Sequence, residues 1–80
     1  MLLKYVMFED DTFMLFPVTI KHNTFITEQS KPIISAGWVI IYDIECGKME
    51  VRAYGDSITL NKYSRSEDSE IIKTGIERMF

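Results

Sequence analysis

The sequence predicts an α+β domain, a four-stranded and mostly antiparallel sheet carrying two short helices in the order ββαββα. Three observations lead there. Short apolar runs separated by acidic, proline and glycine turns fill the chain from Leu2 to Leu60. The C-terminal residues carry an apolar stripe at helical spacing. No repeat, low-complexity tract or linker divides the 80 residues, so residues 1–80 are expected to form a single domain around one core.

Leu2 to Phe8 and Thr12 to Phe16 are apolar runs separated by Glu9, Asp10 and Asp11. Three successive acids suit a solvated turn, so the segment reads as strand, hairpin, strand. Pro17, which offers no backbone donor, ends the second strand. From residue 18 to 29 two templates compete. Val18, His22, Phe25, Ile26 and Gln29 share a face at helical spacing and Thr19 can cap it, whereas the β-branched residues lower helix propensity. A short helix is expected, with Ser30, Lys31 and Pro32 as the connection that follows.

Residues 33–44 contain the continuous apolar run Trp38-Val39-Ile40-Ile41-Tyr42, the pattern of a central strand covered on both faces. Glu45-Cys46-Gly47-Lys48 supplies a turn, and Met49 to Tyr54 alternates apolar with polar residues as a half-buried partner. The alternation then slips. Met49, Val51 and Ala53 are odd-numbered, while the next inward candidates, Ile58 and Leu60, are even-numbered, which places a β-bulge or tight bend at Gly55-Asp56. In the last segment Ile72, Gly75, Ile76, Met79 and Phe80 form a helical stripe. Ser64-Arg65-Ser66-Glu67 fits a capping box at its start, and Gly75 on the stripe implies close approach to the sheet or to another helix.

Apolar residues lie on both faces of two strands in a chain with little helix to cover them. A homodimer is the simplest cover, with Trp38, Tyr42 and Tyr54 as interface residues, because Trp and Tyr are enriched at such surfaces. Nine Lys and Arg against twelve Asp and Glu give a net charge of −3, without the basic stripe that phosphate backbones need, so direct nucleic-acid binding is not expected. The single cysteine, Cys46, cannot form an intramolecular disulfide, which suits reducing cytoplasm. The N-terminal apolar run is too short for a leader, and the longest run elsewhere falls well below the roughly 18 residues needed to span a bilayer, so no membrane partner is expected. One His and one Cys with scattered carboxylates match no zinc spacing, and Glu9-Asp10-Asp11 lacks the later ligands of a calcium loop. No metal or cofactor is expected.

Gly55-Asp56-Ser57-Ile58-Thr59 resembles the first block of the GDSL hydrolases, in which a serine nucleophile follows a strand. That resemblance implies a downstream Asp-x-x-His block supplying the base. Here the only histidine, His22, lies upstream without that setting, and a serine without a positioned base is a weak nucleophile. Ser35-Ala36-Gly37, Tyr54-Gly55-Asp56-Ser57 and Ser64-Arg65-Ser66-Glu67-Asp68 together resemble small uncharacterised proteins of bacteria and their phages, which implies an accessory protein that acts by binding. The expected function is therefore non-enzymatic: a homodimer that binds, and by binding can inhibit, another macromolecule. The alternative is a binder of a polar or phosphate-bearing small ligand through His22, Ser35, Ser57 and Arg65, with a minimal hydrolase built on Ser57 third.

Overall fold

The structure is a computed structural model that describes residues 1–21, 32–44 and 48–79. Strand β1 (Leu2–Phe8) and strand β2 (Phe13–Phe16) form the expected hairpin. In its turn the Asp10 carboxylate accepts the Thr12 N–H at 3.1 Å and Asp11 takes a positive φ of 64°, conformations that short acidic side chains tolerate. Strand β3 (Ile33–Ile44) and strand β4 (Lys48–Tyr54) complete an antiparallel sheet in the order β2-β1-β3-β4. The central position is thus shared by β1 and β3. The turn expected at 45–48 lies outside the described residues except for Lys48, which opens β4.

Past β4 the chain forms a second, two-stranded sheet from β5 (Asp56–Ser57) and β6 (Lys62–Tyr63), and ends in helix α1 (Asp68–Met79). The α+β class and the four-stranded antiparallel sheet match the sequence reading, but the order ββαββα does not. Among the described residues there is one helix, not two. Val18 to Ile20 form a turn closed by the Ile20 N–H on the Pro17 carbonyl at 3.0 Å, and the Lys4 ammonium on β1 clasps the Ile20 carbonyl at 3.0 Å. Proline followed by three β-branched residues favours such a turn over a helical start. The remainder of the expected helix, with His22, lies outside the described residues.

The phase slip is the tight bend, one of the two forms expected at Gly55-Asp56, but Ile58 does not face inward beyond it. Gly55 takes a φ of +77°, so the chain bends sharply there and leaves the main sheet. Ile58, expected to face inward, is 89% exposed, because residues 58–61 are the turn between β5 and β6, with Asn61 at positive φ. Parity along a single strand does not extend through a turn. Leu60 does reach the core, against Val6, Phe8, Phe16 and Ala36. The bulge sits elsewhere: Met7 opposes Ser35 while Phe8 opposes Ile33, leaving Ile34 as the extra residue.

Side chains alternate between two faces. Tyr5, Met7, Val39 and Val51 lie under α1 with Ile72, and Leu15, Ile34, Ile41 and Ile76 pack around them. Gly75 meets the sheet as its place on the helical stripe implied, since a Cβ there would stand 2.5 Å from the Phe13 ring. On the other face Val6, Phe8, Phe16 and Ala36 are buried beneath Ile20, Leu60 and Met14, at one end only. Among the described residues the other end of that face has no such cover.

Candidate functional site

Three places on this frame hold the polar and aromatic residues that could carry a function. The first is a buried cluster at the start of α1. Asp68, the first helical residue, turns its carboxylate back toward the sheet, where the Tyr5 hydroxyl donates to Oδ2 at 2.6 Å. The Arg65 backbone N–H donates to the same oxygen at 3.0 Å, and Arg65 Nε and Nη2 reach Oδ1 at 2.9 and 2.8 Å. Asp68 thus plays the back-reaching part that the expected box gives to Glu67, on the N–H of Arg65 rather than of Ser64, and the Glu67 carbonyl accepts the first helical N–H, from Ile71, at 3.1 Å. Ser35 is fully buried beside the pair, close enough to favour the charged forms of both Tyr5 and Asp68, although its Oγ makes no well-directed hydrogen bond.

Charge and burial oppose each other in this cluster. Burial alone would raise the Asp68 pKa; the hydrogen bonds from Tyr5 and Arg65, with the Ser35 hydroxyl nearby, outweigh it and hold the carboxyl below its ordinary range. Tyr5 is pushed well above the usual phenol value, by burial first and then by its bond to the Asp68 carboxylate. An ionised, fully hydrogen-bonded carboxylate that is sealed from solvent has no access for a substrate. What it does is pin the start of α1 onto β1.

The second place is a cleft of about 250 Å³ lined by Lys4, Lys21, Trp38, Asp56, Ser57, Ile58 and Thr59. The Lys4 ammonium stands 5.1 Å from the centre of the Trp38 ring, a cation–π distance. Ser57 is buried at the base, its hydroxyl 3.2 Å from that of Thr59. Two lysines and two hydroxyls suit an anionic ligand, while Asp56 puts an opposing charge at the rim.

The third is the uncovered end of the sheet face opposite α1. Strand register puts Trp38 beside Tyr54, Ile40 beside Arg52 and Tyr42 beside Glu50, with Leu2 next to Ile40 on β1. Leu2, Tyr42 and Tyr54 are 45, 41 and 40% exposed. Of the run Trp38 to Tyr42, expected to be covered on both faces, Trp38 lines the cleft beside Asp56 to Thr59, while Tyr42 is 41% exposed on the face away from α1.

Of the residues proposed from the sequence, Ser35 and Arg65 come together, but around Asp68 rather than around a cavity. Ser57 lies apart, in the cleft, and His22 lies outside the described residues. The interface candidates Trp38, Tyr42 and Tyr54 do share one face. Tyr5, Asp68, Lys4 and Lys21 escaped the sequence reading. The available signals were a tyrosine in a strand otherwise apolar on that side, whose hydroxyl needs a buried partner, and a lysine in the middle of an inner strand. Comparison with protein-family models, curated proteins and solved structures gives no match to this chain. Among the described residues no helix is long and apolar enough to cross a membrane.

Proposed function

We propose that this chain is a non-enzymatic interaction protein that works as a homodimer and binds another macromolecule through the open aromatic face of its sheet. The observation that carries this reading is the gathering of Leu2, Trp38, Ile40, Tyr42 and Tyr54 on one face, three of them at least two-fifths exposed. Contiguous apolar and aromatic surface framed by charge is the composition of recognition patches. Lys4, Lys48, Glu50 and Arg52 are the charges that the strands of the main sheet place on this face. The sealed Asp68 cluster, with its carboxylate already supplied with donors, supports a binding role over a catalytic one.

A photo-cross-linking residue placed at Tyr42 tests this, with Glu77 on the exposed side of α1 as the control. Expected is one defined heterologous protein captured from position 42 and not from 77. Equal capture from both, or capture from neither, overturns the reading. A second reading has its own observation, the paired lysines and hydroxyls of the cleft: a phosphate-bearing small ligand would seat there. Thermal shift with inorganic phosphate and a nucleotide panel reads that alternative directly, and a stabilisation abolished by Lys4→Met would favour it.

A further inference from the structure

We propose that two copies of this chain join edge to edge along β4, in the antiparallel register that sets Glu50 of each copy opposite Arg52 of the other. This rests on the homodimer reading above and supplies the contact that forms it.

The argument begins with which backbone groups of β4 point outward. The Ile41 N–H donates to the Met1 carbonyl at 2.8 Å, so odd-numbered residues at this part of β3 turn toward β1 and even-numbered ones toward β4. Ile40 and Tyr42 therefore exchange hydrogen bonds with Arg52 and Glu50, and Met49, Val51 and Ala53 turn their N–H and C=O groups away from the sheet. Ala53 bears this out, because its N–H is taken by the Ser69 hydroxyl of α1 at 2.8 Å. Among the described residues no strand lies beyond β4. The opposite edge differs: β2 has four residues and Pro17 stops it, whereas β4 offers seven.

Self-pairing of β4 about a two-fold axis allows few registers that keep the outward groups in contact. Centring on Val51 lets Val51 exchange both bonds with Val51 of the second copy, and lets the Met49 N–H reach the free carbonyl of Ala53. The Ala53 N–H is already held by Ser69 Oγ, so the carbonyl of the second copy's Met49 takes its hydrogen bond from that hydroxyl instead of from the N–H. On the open face the same register sets Glu50 against Arg52 of the second copy, twice over by symmetry, at the close spacing of non-hydrogen-bonded pairs. A shift by two residues would oppose Glu50 to Glu50, so charge selects between them. Joined in this way, the two open faces become one continuous surface carrying both sets of Trp38, Tyr42 and Tyr54.

Light scattering combined with charge exchange tests the register. Expected is a dimer of about twice the 9.3 kDa chain mass. Glu50→Arg and Arg52→Glu, each of which puts like charges opposite one another in two places, should each weaken dimerisation about tenfold. The double variant, which restores both pairs with signs exchanged, should return to within about threefold of the parent. In a Cys46→Ser background, Glu50→Cys chains mixed with Arg52→Cys chains should give a mixed disulfide that neither gives alone. A monomer in the unmodified chain would sink the homodimer reading and this contact together. A dimer that ignores the charge reversals and forms no mixed disulfide would overturn the β4 contact alone.

Discussion

Tyr5 and Tyr42 are the same residue type on neighbouring inner strands of one sheet, and their surroundings could hardly differ more. Tyr5 lies wholly buried under α1 with its hydroxyl on Asp68 at 2.6 Å; Tyr42 stands on the other face, 41% exposed. A buried phenol needs a partner, and the helix that buries Tyr5 brings that partner in its first residue. Among the described residues no hydrogen-bond partner for the Tyr42 hydroxyl comes from an element above it, and its ring stays 41% exposed. The contrast teaches that the buried polar pairing sits on the helix face, while the contact role proposed above falls to the face that α1 leaves open.

If the helix face is where stability resides, its largest loss should come from Asp68. Asp68→Ala leaves the Tyr5 hydroxyl buried without its acceptor and the Arg65 guanidinium without its carboxylate. The expected destabilisation is about 3–5 kcal/mol, read from urea unfolding at neutral pH. A loss below about 1 kcal/mol would mean that the cluster is not what fixes α1 to the sheet. The pH dependence has a definite sign. Because the folded-state pKa of Asp68 is lowered, its contribution is full above the ordinary Asp value of 3.8 and fades as pH falls below it. The gap between parent and variant should therefore narrow in acid.

Much of this division was legible from the sequence and part was not. Apolar runs bounded by turn residues identify β1, β2 and β3, alternation identifies β4, and the stripe from Ile72 through Ile76 identifies α1, because burial leaves its pattern along the chain. Residue type, because Trp and Tyr favour interfaces, is what groups Trp38, Tyr42 and Tyr54 in the sequence. Alternation failed at Ile58, where a change of direction at Gly55 ended the strand whose parity it followed. It also failed for the Asp68 cluster, which joins residues 63 positions apart in sequence. Asp68 follows directly on the expected capping box as one of several acids, and nothing local to Tyr5 names the residue that will meet it. Tertiary polar pairs leave no period.

Tyr5→Phe sharpens the comparison at intermediate size, since it removes one hydroxyl and keeps the ring. With Asp68 ionised, loss of that donor should cost about 1.5–3 kcal/mol at neutral pH. The alkaline side supplies a second readout. The folded-state pKa of Tyr5 is raised above its ordinary value of 10.0, so its stabilisation is full below that pH and is lost as pH rises above it, when the unfolded chain ionises first. Parent and Tyr5→Phe should thus converge in stability above pH 10.0. A constant gap across that range would show that the hydroxyl is not sheltered as the structure places it.

The smallest effect belongs to the open face, and its smallness is the point. Tyr42→Ser removes a ring from a half-exposed position where α1 makes no contact, so urea unfolding should change by no more than about 0.5 kcal/mol. Its partner across the strands, Glu50, stays solvated in either case, and the backbone pairing between them needs neither side chain. Binding should behave in the opposite way. Aromatic residues near the centre of an interface commonly cost 2 kcal/mol or more when truncated, about a thirtyfold loss of affinity, as measured by titration against the protein cross-linked from this position. A Tyr42→Ser chain that unfolds at much lower urea would show that the open face is structural after all. A chain that keeps both its stability and its affinity would remove Tyr42 from the contact surface and move the centre of recognition toward Trp38.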